Sequence, residues 1–125
     1  MELMVACPKQ FSPSPAILKE NPSVTVARDP AEAAKGADVL YTDTWVSMGE
    51  ERQTRNRLRA LKPFQLTQKL VERAKPDCLV MHDLPAHRGQ EATAEVLDGP
   101  HSIIYDQAEN RLHVEKAILT LLLAK

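Results

Sequence analysis

The sequence predicts an α/β fold: a three-layer α/β/α, Rossmann-like domain around a short parallel sheet. Short apolar runs alternate with stretches of helical spacing, the pattern of strand–helix–strand units with parallel strands. The chain has 125 residues, 43% of them hydrophobic and 26% charged. That is one domain's worth of chain with the composition of a globular protein, enough to hold a core without disulfides or metals.

The elements follow in order. Leu3–Ala6 reads as a first strand, ended by Cys7-Pro8. Pro13 and Pro15 punctuate a loop, and Pro15–Glu20 can make one or two helical turns. Val24–Ala27 is a second short strand. Asp29 is placed to cap a helix that has Pro30 at its first position, and the helix, Ala31–Lys35, stops at Gly36. Val39–Tyr41 reads as a short buried strand and Thr42–Gly49 as a loop. Glu50–Ala60 is a charged helix with acids near its start and bases near its end, which suits the helix dipole and a solvated face. Thr67–Ala74 puts Leu70, Val71 and Ala74 at core spacing. Cys78–His82 is the most strand-like segment. After the turn Asp98-Gly99-Pro100, Ile103–Tyr105 reads as a last strand. Arg111–Leu123 is an amphipathic helix with Val114, Ala117, Ile118, Leu121 and Leu122 on one face. No internal repeat marks a boundary, so residues 1–125 are treated as one unit.

Charge and cysteine usage narrow the function classes. Lys and Arg number 16 against 17 Asp and Glu, a net charge of -1. A nucleic-acid binder carries a basic excess and this chain does not, so no nucleic-acid partner is expected. No run reaches the roughly 20 apolar residues of a membrane span, and no signal peptide is evident. Cys7 and Cys78 both sit in apolar stretches and read as buried free thiols, which suits a cytoplasmic protein.

Ligands of parallel sheets bind beyond the carboxyl ends of the strands. The informative segments are therefore Thr42–Gly49, His82–Gly89 and Asp106–Arg111, which bring carboxylates, an imidazole and a guanidinium to one edge. Such a set suits an amino-bearing substrate beside an anionic one. Structural readings stand next to this. Asp43 can cap a turn, His82 can be a hydrogen-bonded core histidine, Arg111 a surface residue, and Trp45 packing. No metal-ligand spacing or phosphate-binding glycine loop is present. Ser47 lacks the glycine flanks of a nucleophile elbow, which sets aside a Ser47–His82–Asp43 triad.

The three segments in this order resemble ornithine carbamoyltransferases in their C-terminal, ornithine-binding half. Asp43-Thr44-Trp45-Val46-Ser47-Met48-Gly49 is similar to the family's Asp-x-x-x-Ser-Met-Gly loop. His82-Asp83-Leu84-Pro85 stands where the family has His-Cys-Leu-Pro, and His87-Arg88-Gly89 and Glu109-Asn110-Arg111 complete the pattern. The likeness runs from about Leu3 to Leu123. It implies transfer of a carbamoyl group from carbamoyl phosphate to the δ-amine of L-ornithine, giving citrulline, with no cofactor. By resemblance, Asp43 binds the ornithine α-ammonium, and Ser47 and Met48 meet its α-amino acid end. His82 and the Leu84 backbone belong to the same substrate site. Asp83, in the cysteine's place, and Arg111 stand at the reacting carbamoyl group.

The sequence departs from the family twice. A carboxylate at Asp83 attracts the ammonium form of the amine, which cannot attack, and repels carbamoyl phosphate. The family's Ser-x-Arg-Thr-Arg phosphate loop is absent, as are the first strand and helix of the ornithine domain. The resemblance therefore implies an inactive isolated chain with an open sheet edge and an uncovered terminal helix. Its expected partners are a second copy of itself or a complementary N-terminal half.

Overall fold

A computed structural model describes residues 1–46 and 54–124. Among the described residues there are four strands: β1 (Leu3–Ala6), β2 (Val24–Ala27), β3 (Val39–Thr42) and β4 (Leu79–His82). Helices connect or follow them: α1 (Pro15–Glu20), α2 (Pro30–Ala34), α3 (Thr54–Leu61), α4 (Gln68–Val71), α5 (Ala94–Leu97) and α6 (Ile104–Leu123). Short 3-10 turns lie at Lys9–Phe11 and Lys62–Phe64.

All pairing between named strands is parallel, as the alternation of elements requires. The strands form two separate pairs, β1 with β2 and β3 with β4. Leu3 lies opposite Val24 in the first pair, and Val39 opposite Leu79 in the second. Local chemistry sets the element ends. The Ser14 hydroxyl accepts from the Ile17 N–H at 3.3 Å, with Pro15 opening α1. Asp29 Oδ1 accepts from the Ala31 N–H at 2.8 Å, and Pro30 opens α2. Gly36 follows at φ +67°, a left-handed conformation that glycine takes without a Cβ penalty. Its N–H donates to the Arg73 carbonyl at 2.9 Å and ties the end of α2 to the chain after α4.

The main core lies around β4. Val71, Cys78, Val80, Ala92, Val96, Leu97 and Ile104 are buried together with Leu66. Leu40, Leu70, Ala74, Leu84 and Ala86 pack against them. Burying each Val, Leu or Ile in this cluster stabilises by about 1.5–3 kcal/mol. Cys7 and Cys78 are both free and buried.

Three expectations need correction. Ile103–Tyr105 is not a strand. The Ile103 N–H reaches the Val80 carbonyl at 2.9 Å, the Val80 N–H reaches the His101 carbonyl at 2.8 Å, and helix starts at Ile104. The β-branched pair looks extended in isolation, but α6 seats Ile104 in the core and its helical spacing wins over strand propensity. The terminal helix therefore begins seven residues before Arg111. The strand at Val39–Tyr41 exists, extended to Thr42, but it is not buried: Val39 is 45% and Tyr41 56% exposed. Leu40 packs against the core cluster, and Val39 and Tyr41, one residue to either side, point to the opposite, open face of the strand. The helix expected over Thr67–Ala74 spans only Gln68–Val71, followed by turns. Of the charged helix expected at Glu50–Ala60, Thr54–Leu61 is helical, and residues 50–53 lie outside the described residues. The sequence reading also missed α5.

Candidate functional site

The carboxyl ends of β3 and β4 form the framework. Thr42 and His82 are partners in the last rung of the parallel ladder. Asp43 and Asp83 therefore leave two adjacent strands at the same level. Asp43 is exposed, and its Oδ1 accepts from the Thr44 N–H at 2.5 Å. That bond turns the chain, as the capping reading has it, and leaves Oδ2 without a partner among the hydrogen bonds of the described residues. Trp45 is buried, as the packing reading has it. Ser47 and Met48 lie outside the described residues.

The two strand ends are fastened together. Thr44 Oγ1 is 3.1 Å from His87 Nδ1, which joins the loop after β3 to the loop after β4. Gln107 on α6 makes a second link. Its Oε1 accepts from the His82 N–H at 2.9 Å, and its Nε2 donates to the Tyr41 hydroxyl at 3.1 Å.

His82 is the centre of the β4 loop and has no solvent exposure. Its Nδ1 accepts from the Leu84 N–H at 2.8 Å. The ring proton is therefore on Nε2, 3.2 Å from Glu91 Oε1. Asp83 Oδ1 also lies 3.5 Å from His82 Nδ1, but with Nδ1 accepting this contact is not an ion pair. Leu84 has φ +59°, a conformation costly for a branched side chain, and it precedes a cis peptide to Pro85. The N–H bond to His82 holds it there. The core-histidine reading of His82 thus describes its surroundings well.

Arg111 is exposed and lies one helical turn beyond Gln107 on the same face of α6. Its guanidinium donates to the Asp83 carbonyl at 3.2 Å. Asp83, Leu84 and Arg111 are thereby brought into one neighbourhood next to Asp43. Arg88 is engaged elsewhere, in a two-pronged pair with Asp98 at 3.0 and 2.7 Å. That pairing raises the Arg88 guanidinium above its ordinary pKa and holds the Asp98 carboxyl below its own. Among the described residues, no group of three or more His, Cys, Asp or Glu is placed to hold a metal ion.

Sequence reasoning missed Thr44, Glu91 and Gln107. Gln107 carried a usable signal, since it precedes Arg111 by one turn. Glu91 carried none, because nothing local separates a buried glutamate from a surface one.

Comparison with known proteins adds the following. The sequence model of the family described as aspartate/ornithine carbamoyltransferase, Asp/Orn binding domain, matches residues 1–122. Ornithine carbamoyltransferase of Chlorobaculum tepidum is 52% identical over 96% of this chain and 37% of its own length. That of Archaeoglobus fulgidus is 49% identical over 100% of this chain and 42% of its own. The solved ornithine carbamoyltransferase of Pyrococcus furiosus superposes with a TM-score of 0.85 at 44% identity, over 96% of this chain and 41% of that one. The enzyme from Thermus thermophilus gives 0.85 at 43% identity, over 98% of this chain and 39% of that one. The chain spans about two-fifths of the length of the curated relatives it matches.

Proposed function

Because the chain belongs to the aspartate/ornithine carbamoyltransferase family, we propose that it is the ornithine-binding part of an ornithine carbamoyltransferase. The observation that carries this reading is the strand-end constellation. Asp43, Asp83, the Leu84 backbone and Arg111 lie at one edge, with the two strand ends bonded to each other.

In this reading the Asp43 carboxylate pairs with the α-ammonium of L-ornithine, and Ser47 and Met48 meet the same end. The δ-amine attacks the carbamoyl carbon of carbamoyl phosphate as the neutral base. A tetrahedral intermediate forms, phosphate leaves, and the amine proton is lost. Arg111 donates toward the carbamoyl oxygen as charge gathers on it, and the Leu84 backbone borders the same group. His82 serves the site from beneath, by holding Leu84. No organic cofactor enters these steps.

Asp83 opposes the reaction. Its side chain is 43% exposed, and in this reading it stands beside the reacting amine. A carboxylate there stabilises the ammonium form and removes the nucleophile. The sequence also lacks the Ser-x-Arg-Thr-Arg segment that the resemblance assigns to the phosphate of carbamoyl phosphate. The isolated chain therefore binds ornithine without turning it over. The test is ornithine binding followed by NMR, with a citrulline assay run on the chain alone and on the chain mixed with the complementary N-terminal part of a relative. Binding without citrulline from the chain alone is expected. Turnover by the chain alone at the rate of an intact enzyme refutes the reading, as does failure to bind ornithine at millimolar concentration.

A second reading is favoured by one feature. Leu112, Val114, Ile118, Leu119, Leu121 and Leu122 on α6 are all about half exposed or more. A self-associating module buries such a surface against a second copy. Sizing at micromolar concentration decides: a dimer or larger supports it, and a stable monomer excludes it. With no helix among the described residues long and apolar enough to cross a membrane, and two free thiols, the cytoplasm is the proposed location.

A further inference from the structure

We propose that Glu91 is a positioning residue of the site, acting through His82 to hold Leu84 in place. Glu91 and His82 are the two polar or charged side chains among the described residues that are fully removed from solvent. Both are committed to one loop. Glu91 Oε1 receives the His82 Nε2 proton at 3.2 Å and also accepts from the His87 N–H. His82 Nδ1 in turn accepts from the Leu84 N–H. One carboxylate oxygen thus reaches both ends of the segment 84–87, directly at His87 and through the imidazole at Leu84.

Glu91 is itself rigidly placed. Its carbonyl accepts from the Leu66 N–H at 2.8 Å, and the Thr93 N–H returns to the Leu66 carbonyl at 3.0 Å. His82 is anchored from the other side by Gln107 at its backbone N–H. The imidazole can serve both partners only as the Nε2–H tautomer. A proton on Nδ1 would meet the Leu84 N–H and leave Glu91 without its donor. The negative charge of Glu91 selects the tautomer, and the tautomer holds Leu84 at its positive φ. Carboxylate–imidazole pairs of this kind orient side chains in many sites. Here the oriented group is a main chain next to Asp83 and Arg111.

The purpose of the device rests on the substrate-site reading above, but its test needs no substrate, so the two fail separately. Two-bond nitrogen–proton NMR of the free chain should show His82 as the Nε2–H tautomer. Hydrogen exchange is then compared at Leu84 and at Val96, a core amide away from the loop. In Glu91→Gln, which keeps shape but loses charge, Leu84 protection should fall about fivefold or more relative to Val96, the loss expected when a charge-assisted bond becomes neutral. Glu91→Ala should lower it further. His82→Asn, whose side-chain oxygen can still accept from Leu84, should break the route from position 91 to Leu84 while the direct bond to His87 remains. In that background Glu91→Gln should no longer change the ratio. An Nδ1–H tautomer in the unsubstituted chain overturns the proposal. So does Leu84 protection that tracks Val96 in Glu91→Gln.

Discussion

Ile104 is the hinge pin of α6, and its truncation tests how the helix is held. The helix runs over 20 residues, yet Ile104 is its one buried residue, at 2% exposure. Leu121, near the other end, is 81% exposed. Ile104→Ala removes three carbons from a close-packed cluster that includes Val80 and Leu97. Large-to-small changes of this kind cost about 2–5 kcal/mol, and Ile104→Val about 0.5–1.5. In a monomer, Leu121→Ala should cost less than about 0.5 kcal/mol, since it loses little buried surface. Urea unfolding of the three variants, with the slope held constant, reads all three numbers. The candidate site should feel only the first two, because Gln107 and Arg111 follow Ile104 on the same helix. A cost below about 0.5 kcal/mol for Ile104→Ala would refute the reasoning and mean that α6 is held by something other than its first turn. A cost above about 1.5 kcal/mol for Leu121→Ala would mean that the exposed face is buried in an assembly.

Restoring the family's thiol with Asp83→Cys should raise citrulline formation in a complemented enzyme and leave the isolated chain inactive; equal rates with Asp and Cys would show that the carboxylate does not control the amine. Burial pushes the Cys78 thiol above its ordinary pKa, with Asp77 adding to the effect; a thiol reagent at pH 8 should modify it only as the chain unfolds, and rapid labelling of the native chain would contradict its burial. A Cβ at Gly99 would lie 2.4 Å from the Glu95 carbonyl oxygen, which is backbone and cannot swing away. Gly99→Ala should therefore destabilise by about 1–3 kcal/mol in thermal unfolding, and a neutral effect would place the turn after α5 differently.

Much of the fold was legible because its signals are local. Asp29, Pro30 and Gly36 mark the two ends of α2 with capping chemistry that needs no tertiary context. The parallel pairing of β3 with β4 followed from their separation by helical sequence. Ile103–Tyr105 failed for the opposite reason: whether a β-branched run extends or coils there depends on the pocket that receives Ile104. The place of Asp83 and Leu84 followed from the end of β4 and from motif resemblance, whereas Arg111, expected in a loop after a strand at Ile103–Tyr105, reaches the same edge from within α6. The Thr44–His87 and Gln107–Tyr41 links did not, since both join residues distant in sequence. The burial of Glu91 is likewise a property of the assembled loops and leaves no trace in spacing.

The ladder registers also differ in how much chain each must close. Leu3 meets Val24 in the first pair, and Val39 meets Leu79 in the second, across roughly twice as much chain. Each doubling of a closed loop adds only about 0.6 kcal/mol to its entropy cost, but that cost precedes any pairing reward. Contacts remote in sequence form slowly for this reason. The β1–β2 unit can close early, while β3 waits for α3, α4 and β4 to arrive. The candidate site is built on the late pair, so during refolding it should form together with the β4 core and α6 and not with the β1–β2 unit.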